Sequence, residues 1–520
     1  MTSPFAGVLR PRTPEERRTA EDRRRARADD VTSVRGALRS PARLRTEVLA
    51  GLVVALALIP EAISFSIIAG VDPRVGLFAA FTMAVSIAFL GGRPAMISAA
   101  TGAIALVIAP MMSEYGMDYL IATVILGGLI QVALGLAGVA KLIRFIPRAV
   151  MVGFVNALGI LIFLAQLPYL IGMPWPVYVA VAIGIAIMVF LPKVTTAVPA
   201  PLVAIVVLTV VTVGAHVSMP TVGDQGNLPD ALPTLFLPHV PLTLETLQII
   251  APFAIAMALV GLMESLMTAK LVDDITDTHS PKTREAWGQG AANIITGLFG
   301  GMGGCAMIGQ TMINVKVSGA RTRISTFLAG VFLLLILVLG LGDVVAVIPM
   351  AALVAVMIMV SVRTFDWHSI QPSTWVRMPR TYTAIMVATV AVTVATDNLA
   401  FGVMTGVVLS ALDFVRHVAH FTEVVAVAHP DADTRVYAVV GELFFASSND
   451  LIFQFDYTGD PKNVIIDMSG SHIWDVTTVA TLDAITTKYA AKGKTATIIG
   501  MNEASTRRHE HLAGHLGAGH

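Results

Sequence analysis

The sequence predicts an α-helical polytopic membrane protein with a small α/β domain near its C-terminal end. Three observations predict it. Of 520 residues, 55% are hydrophobic and only 13% are charged, too few charges to cover a soluble chain of this size. The apolar residues run together in stretches of about 18–25, the length that crosses a bilayer core. From Thr422 onward the pattern changes to short alternating strand-like and helix-like segments.

The first 45 residues hold RTPEERRTAEDRRRARADD, arginine-rich and without apolar periodicity. They predict a disordered basic cytosolic tail over 1–45. The acidic Glu15, Glu16, Glu21, Asp22, Asp29 and Asp30 argue against a mitochondrial transit peptide, and no cleavable secretory signal precedes the first span. The transmembrane domain follows over 46–421. Its spans fall near 49–69, 75–91, 98–112, 118–140, 147–171, 176–192, 199–217, 247–270, 287–301, 305–317, 323–341, 343–361, 381–396 and 399–420. Cys305, the single cysteine, excludes an intramolecular disulfide and reads as a small apolar residue in a packed segment.

Basic residues of the short loops set the orientation. Lys141, Arg144 and Arg148, Lys193, Lys282 and Arg284, Lys316, Arg321 and Arg323, then Arg363, Arg377 and Arg380 all fall on one side if both termini are cytosolic. The connection from His216 to Glu245, on the opposite side, contains no lysine or arginine. Together with the absence of a targeting sequence, this predicts a bacterial inner membrane with cytoplasmic N- and C-termini.

After Thr422, VVAVAHP and TRVYAVVG read as strands, SNDLIFQFDYT as a helix, NVIIDMS as a buried strand, DVTTVATLDAITTKYAAKG as an amphipathic helix and TATIIG as a strand. The domain is expected over 422–505. The histidine-bearing remainder, 506–520, reads as a flexible tail rather than a metal site.

In hydrocarbon every backbone donor and acceptor must be satisfied within the protein. Two short, glycine-rich segments break that pattern at corresponding places, PAMISAATGAIALVIAP in span 3 and GGMGGCAMIGQTMINVKVSGA in span 10. Seven spans separate them, and an odd number of spans per half gives two halves of opposite topology. Each reads as an extended stretch followed by a half-helix, starting near Thr101–Gly102 and near Ile308–Gly309. Two helix N-termini brought face to face would attract a negative charge. The same glycines would also serve close helix packing.

Few ionisable residues lie inside spans. Glu61 follows Pro60 in span 1, and Glu264 sits in the equivalent span 8. A carboxyl group removed from water holds its proton more readily, so either acid is a candidate proton carrier. Either would also serve as a structural acid bonded to free backbone. Thr268, four residues after Glu264 on one helix face, adds a second oxygen ligand, so proton and sodium coupling both stay open. Gln310 can donate to a substrate oxygen, Asn314 reads as interhelical glue, and Phe65 walls the site or fills the core.

The run LIPEAISFSIIAGVDPRVGLFAA resembles the span 1–2 signature of the sulfate permease (SulP) family of anion transporters. ESLMTAKLVDDIT in span 8 and NVKVSGARTRIS after the second half-helix resemble it too, and SGSHIWDVTTVATLDAI is similar to the core of a STAS domain. The resemblance covers roughly residues 43–500. It implies a fourteen-span, seven-plus-seven inverted repeat, with a core of spans 1–4 and 8–11 moving against a gate of spans 5–7 and 12–14. It further implies a homodimer, a small anion as substrate, and a STAS domain open to a cytosolic partner. The family's anion site maps here onto Glu61, Phe65, Thr101, Gly102, Ala103, Met307, Ile308, Gly309 and Gln310, with Glu61, Glu264 and Thr268 for the coupling ion.

Two departures matter. Many members carry glutamine at the position of Glu61, and many carry arginine near Gln310. The acid favours proton symport over exchange, and with the missing base it suits a substrate that arrives with protons, such as a mono- or dicarboxylate; the expected substrate class is a dicarboxylate, sulfate or bicarbonate. Sodium symport and anion exchange remain alternatives. Val476 follows Asp475 where phosphorylatable STAS domains often carry serine. No cofactor, nucleic-acid partner or enzymatic activity is expected, since no span carries a nucleophile–base pair or metal-ligand cluster. A channel would need a continuous polar pore, and nucleobase symporters of related fold lack a STAS domain.

Overall fold

Apolar segments that cannot hydrogen-bond to lipid close their backbone bonds internally as helices. The computed structural model describes residues 31–139, 146–195, 199–226, 232–336, 342–419, 423–431 and 433–512. The tail reading for 1–30 and the loop residues Lys141 and Arg144 lie outside them. A helix stands at each of the fourteen predicted places. In order they are α1 (Pro41–Ala69), α2 (Pro73–Leu90), α3 (Gly102–Tyr115), α4 (Met117–Leu136), α5 (Arg148–Leu164), α6 (Trp175–Val194) and α7 (Ala200–Gly214) in the first half. The second half holds α8 (Leu244–Thr276), α9 (Lys282–Leu298), α10 (Ile308–Met312, continued by a π-helical turn Ile313–Val317), α11 (Arg323–Ile336), α12 (Met350–Thr364), α13 (Arg380–Thr396) and α14 (Leu399–Ala419). Among the described residues, α1, α2, α4, α5, α6, α8 and α14 have the length and apolarity to cross a membrane.

Several ends differ from expectation, each for a local reason. Ser33 caps a helix Val34–Arg39 by accepting the Gly36 N–H, and Pro41 opens α1 after an extended Ser40, so residues 34–39 and 41–45 are helical rather than disordered tail. Span 5 ends at Leu164, before Pro168 and a 3₁₀ turn Leu167–Tyr169. Span 12 is divided by Pro349 into a short helix Gly342–Ala346 and α12.

Two bundles form. α1–α4 pack with α8–α11, and α5–α7 pack with α12 and α13, the core and gate of an inverted-repeat transporter fold. In the core, α4 and α9 touch backbone to backbone: a Cβ on Gly128 would lie 2.7 Å from the Gly290 carbonyl oxygen. Charged residues close the helix ends. The Arg323 guanidinium donates to the Ala88 and Gly91 carbonyls, and Arg284 to those of Phe89 and Leu90, covering the C-terminal end of α2. Buried Glu47 of α1 accepts the N–H groups of Arg321, Thr322 and Ser325 at the start of α11.

The C-terminal unit is a four-stranded sheet in the order β3 (Glu423–Asp431), β4 (Thr434–Leu443), β5 (Asn463–Ile473), β6 (Thr495–Ile499). β3 and β4 are antiparallel, and the other pairs parallel. Helix α15 (Phe445–Leu451) lies earlier than the predicted 448–458. Asp456 instead draws the chain into a turn by accepting the Thr458 and Gly459 N–H groups. Val479, Leu482, Ile485 and Tyr489 of α16 (Val476–Ala491) fill the core against Val464 and Ile466. Buried Asp460 accepts the Tyr437 and Tyr489 hydroxyls, and burial followed by that carboxylate holds the Tyr489 phenol above its ordinary range. A final helix, α17 (Glu503–Leu512), replaces the first part of the expected flexible tail. Buried Ser505 accepts the Ile473 N–H, and Arg508 donates to the Ile473 carbonyl.

Candidate functional site

The extended stretches before the two half-helices meet. β1 (Ser98–Ala99) and β2 (Cys305–Ala306) pair antiparallel, with Ser98 opposite Ala306 and Ala99 opposite Cys305. The Met307 N–H donates to the Ile97 carbonyl at 2.9 Å, and the Thr311 hydroxyl accepts the Ile97 N–H at 3.0 Å. Backbone that would be costly in lipid is thereby satisfied inside the core. The crossing needs glycine: a Cβ on Gly304 would sit 2.0 Å from the Ala99 carbonyl oxygen. Asn293 of α9 fixes the same spot, accepting the Gly304 N–H and donating to its carbonyl.

Just beyond the pair, α3 begins at Gly102 and α10 at Ile308, on a cavity of about 490 Å³. Glu61, Phe65, Thr101, Gly102, Glu264, Met307, Ile308, Gly309 and Gln310 all line it. Phe65 is buried against Gly102, where an added Cβ would meet its ring at 2.9 Å. Gly309 faces open space. Gln310 is buried on the same cavity wall as Glu61, and its Oε1 has no protein partner among the described residues.

Two expected residues stand elsewhere. Ala103 is fully buried behind the helix start and is not on the cavity wall. Thr268 is also off the wall, and its hydroxyl donates to the Glu264 backbone carbonyl at 2.8 Å. Asn314 is interhelical, donating to the Ala95 carbonyl and the Ser325 hydroxyl.

Two further residues were not legible in the sequence. Cys305 is more than apolar filler: its thiol donates to Glu264 Oε2 at 2.9 Å and lies 3.0 Å from the Thr101 hydroxyl. Arg363, read as a loop charge, lines the same cavity as Glu61 from the gate helix α12. Pro192 near the end of α6, with Thr195 and Pro199 from the α6–α7 connection, also lines the cavity.

The sulfate permease family model matches residues 44–182 and 174–389, and the STAS domain model matches 423–515, which takes that domain past the expected end at 505. YbaR of Bacillus subtilis (strain 168) is 52% identical over 463 residues, covering 89% of this chain and 95% of YbaR. Among solved structures, the transmembrane domain of a cyanobacterium bicarbonate transporter, BicA, matches with a TM-score of 0.62 at 25% identity, covering 69% of this chain and 98% of that one. SLC26A9 matches with a TM-score of 0.77 over 97% of this chain and 94% of its own, at 16% identity, a likeness of fold alone. The chain therefore belongs to the sulfate permease family of membrane anion transporters and ends in a STAS domain.

Proposed function

We propose that the protein is a secondary active transporter that carries a small anion by alternating access, together with protons. The observation that carries this reading is the antiparallel β1–β2 pair, which sets the starts of α3 and α10 on one cavity beside two carboxyl groups. Unpaired N–H groups and helix dipoles favour negative charge there. Arg363 adds a full positive charge from the gate. Glu61 and Glu264 are the groups able to take a proton along with the anion.

Sodium is the weaker alternative, because the Thr268 hydroxyl is already bonded to the Glu264 carbonyl and stands off the cavity. The orphaned Gln310 Oε1 favours an anion that brings its own O–H group. Among the dicarboxylate, sulfate and bicarbonate classes, that points to bicarbonate or a half-protonated dicarboxylate. The name of BicA agrees with the former. In the orientation set by the basic loops, the cavity opens to the cytoplasm past Pro192, Thr195, Pro199 and Arg363. We further read the protein as a homodimer in the bacterial inner membrane, with both termini cytoplasmic.

The test is uptake by proteoliposomes of radiolabelled sulfate, bicarbonate, chloride and dicarboxylates, with uracil as the competing class. Saturable, concentrative uptake of one anion supports the reading. Uracil uptake alone, or passive flux that follows the anion gradient, contradicts it.

A further inference from the structure

Glu264, Cys305 and Thr101 form one hydrogen-bonded line whose last member faces the cavity. Each has a different source: Glu264 from the middle of α8, Cys305 from β2, and Thr101 from the N-cap of α3. The thiol donates to Glu264 Oε2 at 2.9 Å. Between Thr101 Oγ and Cys305 Sγ, 3.0 Å apart, either atom can be the donor. Thr101 Oγ also accepts the Ile104 N–H as the cap of α3. Cys305 is fully buried, while Glu264 and Thr101 both reach the cavity wall.

We propose that Cys305 is a reversible hydrogen-bond relay through which the proton on Glu264 decides whether Thr101 donates to the anion. With Glu264 ionised, the thiol must donate to the carboxylate. The sulfur then takes the Thr101 hydroxyl hydrogen, and Thr101 has none left for the cavity. When Glu264 binds a proton, its O–H turns to the sulfur and the S–H turns to Thr101 Oγ. That oxygen now accepts from both Ile104 and Cys305, so its own O–H is freed toward the cavity. No bond to hydrogen breaks in the line; the one proton gained comes from solution and stays on Glu264. Anion and proton therefore favour each other's binding, the coupling a symporter requires.

Among the described residues, the charged groups that share the cavity wall with Glu264 are Glu61 of α1 and Arg363 of α12. Glu285 of α9 is engaged elsewhere, accepting the Gly92 and Arg93 N–H groups and the Gln289 amide. The relay is a positioning device resting on the proton-coupled reading above, and Cys305 itself touches no substrate.

One cysteine in the chain gives one S–H stretching band, so infrared spectra of the full protein in lipid read the relay without any transport. As pH falls from neutral to mildly acidic, the wild-type band should move to higher frequency, from a carboxylate acceptor to a hydroxyl. In Glu264→Gln it should stay at the high-frequency position at both pH values. A wild-type band that ignores pH, or one that moves equally in Glu264→Gln, overturns the relay. In proteoliposomes, acidification should lower the apparent KM for whichever of radiolabelled sulfate, bicarbonate, chloride and dicarboxylates is taken up about tenfold in wild type, the worth of one hydrogen bond to a charged group. That KM is referred to the concentration of the anion's transported ionic form. Cys305→Ser, which still accepts and donates, should keep that dependence. Cys305→Ala should lose it, and full retention there would also overturn the relay. A moving band with no uptake of sulfate, bicarbonate, chloride or any dicarboxylate would instead contradict the transport reading.

Discussion

Gly304 shows how much of the site hangs on one missing methyl group. An alanine there would force β1 and β2 apart, because the Ala99 carbonyl oxygen stands 2.0 Å from the new Cβ. We expect Gly304→Ala to cost about 1–3 kcal/mol of stability, read as a lower unfolding temperature in detergent, and to weaken anion uptake. An unchanged melting temperature would contradict the close crossing. Other residues of the site announced themselves in the sequence. Glu61 and Glu264 stood out because a carboxyl group in an apolar span is costly, and Gln310 because it opens a glycine-flanked half-helix. Cys305 did not, since its partners lie 41 and 204 positions away and a thiol carries no signal of its own. Arg363 was hidden differently: at a span end, a site cation and an orienting loop cation look alike.

At the level of elements, apolar runs marked where each helix lies, and proline decided where several end. Pro349 and Pro168 moved boundaries that hydropathy alone leaves open. Contacts between distant helix ends were outside the reach of local sequence. Glu47 of α1 satisfies three N–H groups at the start of α11. Glu47→Ala would strand them in the core, and we expect a loss of about 3 kcal/mol, again by thermal unfolding. Glu47→Gln, which keeps an acceptor oxygen, should lose less. In the C-terminal domain, Asp460→Ala removes the acceptor of two buried tyrosine hydroxyls. Limited proteolysis of the full chain should then cut within 423–512 several-fold faster than in wild type, at unchanged cleavage of the helical bundles.

Across the whole molecule, the inverted repeat was legible because the two glycine-rich segments are seven spans apart, and the pairing of Ser98 with Ala306 gives that spacing its structural meaning. The proposed orientation has its own check. In a Cys305→Ser background, a cysteine at Thr364 or Pro199, both on the cavity wall, should react with an impermeant thiol reagent from the cytoplasmic side only. Labelling from the outside alone would reverse the topology. The central claim is that anion movement is tied to a proton on the buried acids, and one comparison tests it most directly. Proteoliposomes of wild type, Glu61→Gln and Glu264→Gln are given an inward proton gradient with the radiolabelled anion at equal concentration on both sides. Proton symport predicts that wild type accumulates the anion above equilibrium and that removing the coupling carboxyl, in Glu61→Gln or in Glu264→Gln, leaves only equilibration. Accumulation that persists in both mutants, or that never follows the proton gradient, would contradict the account.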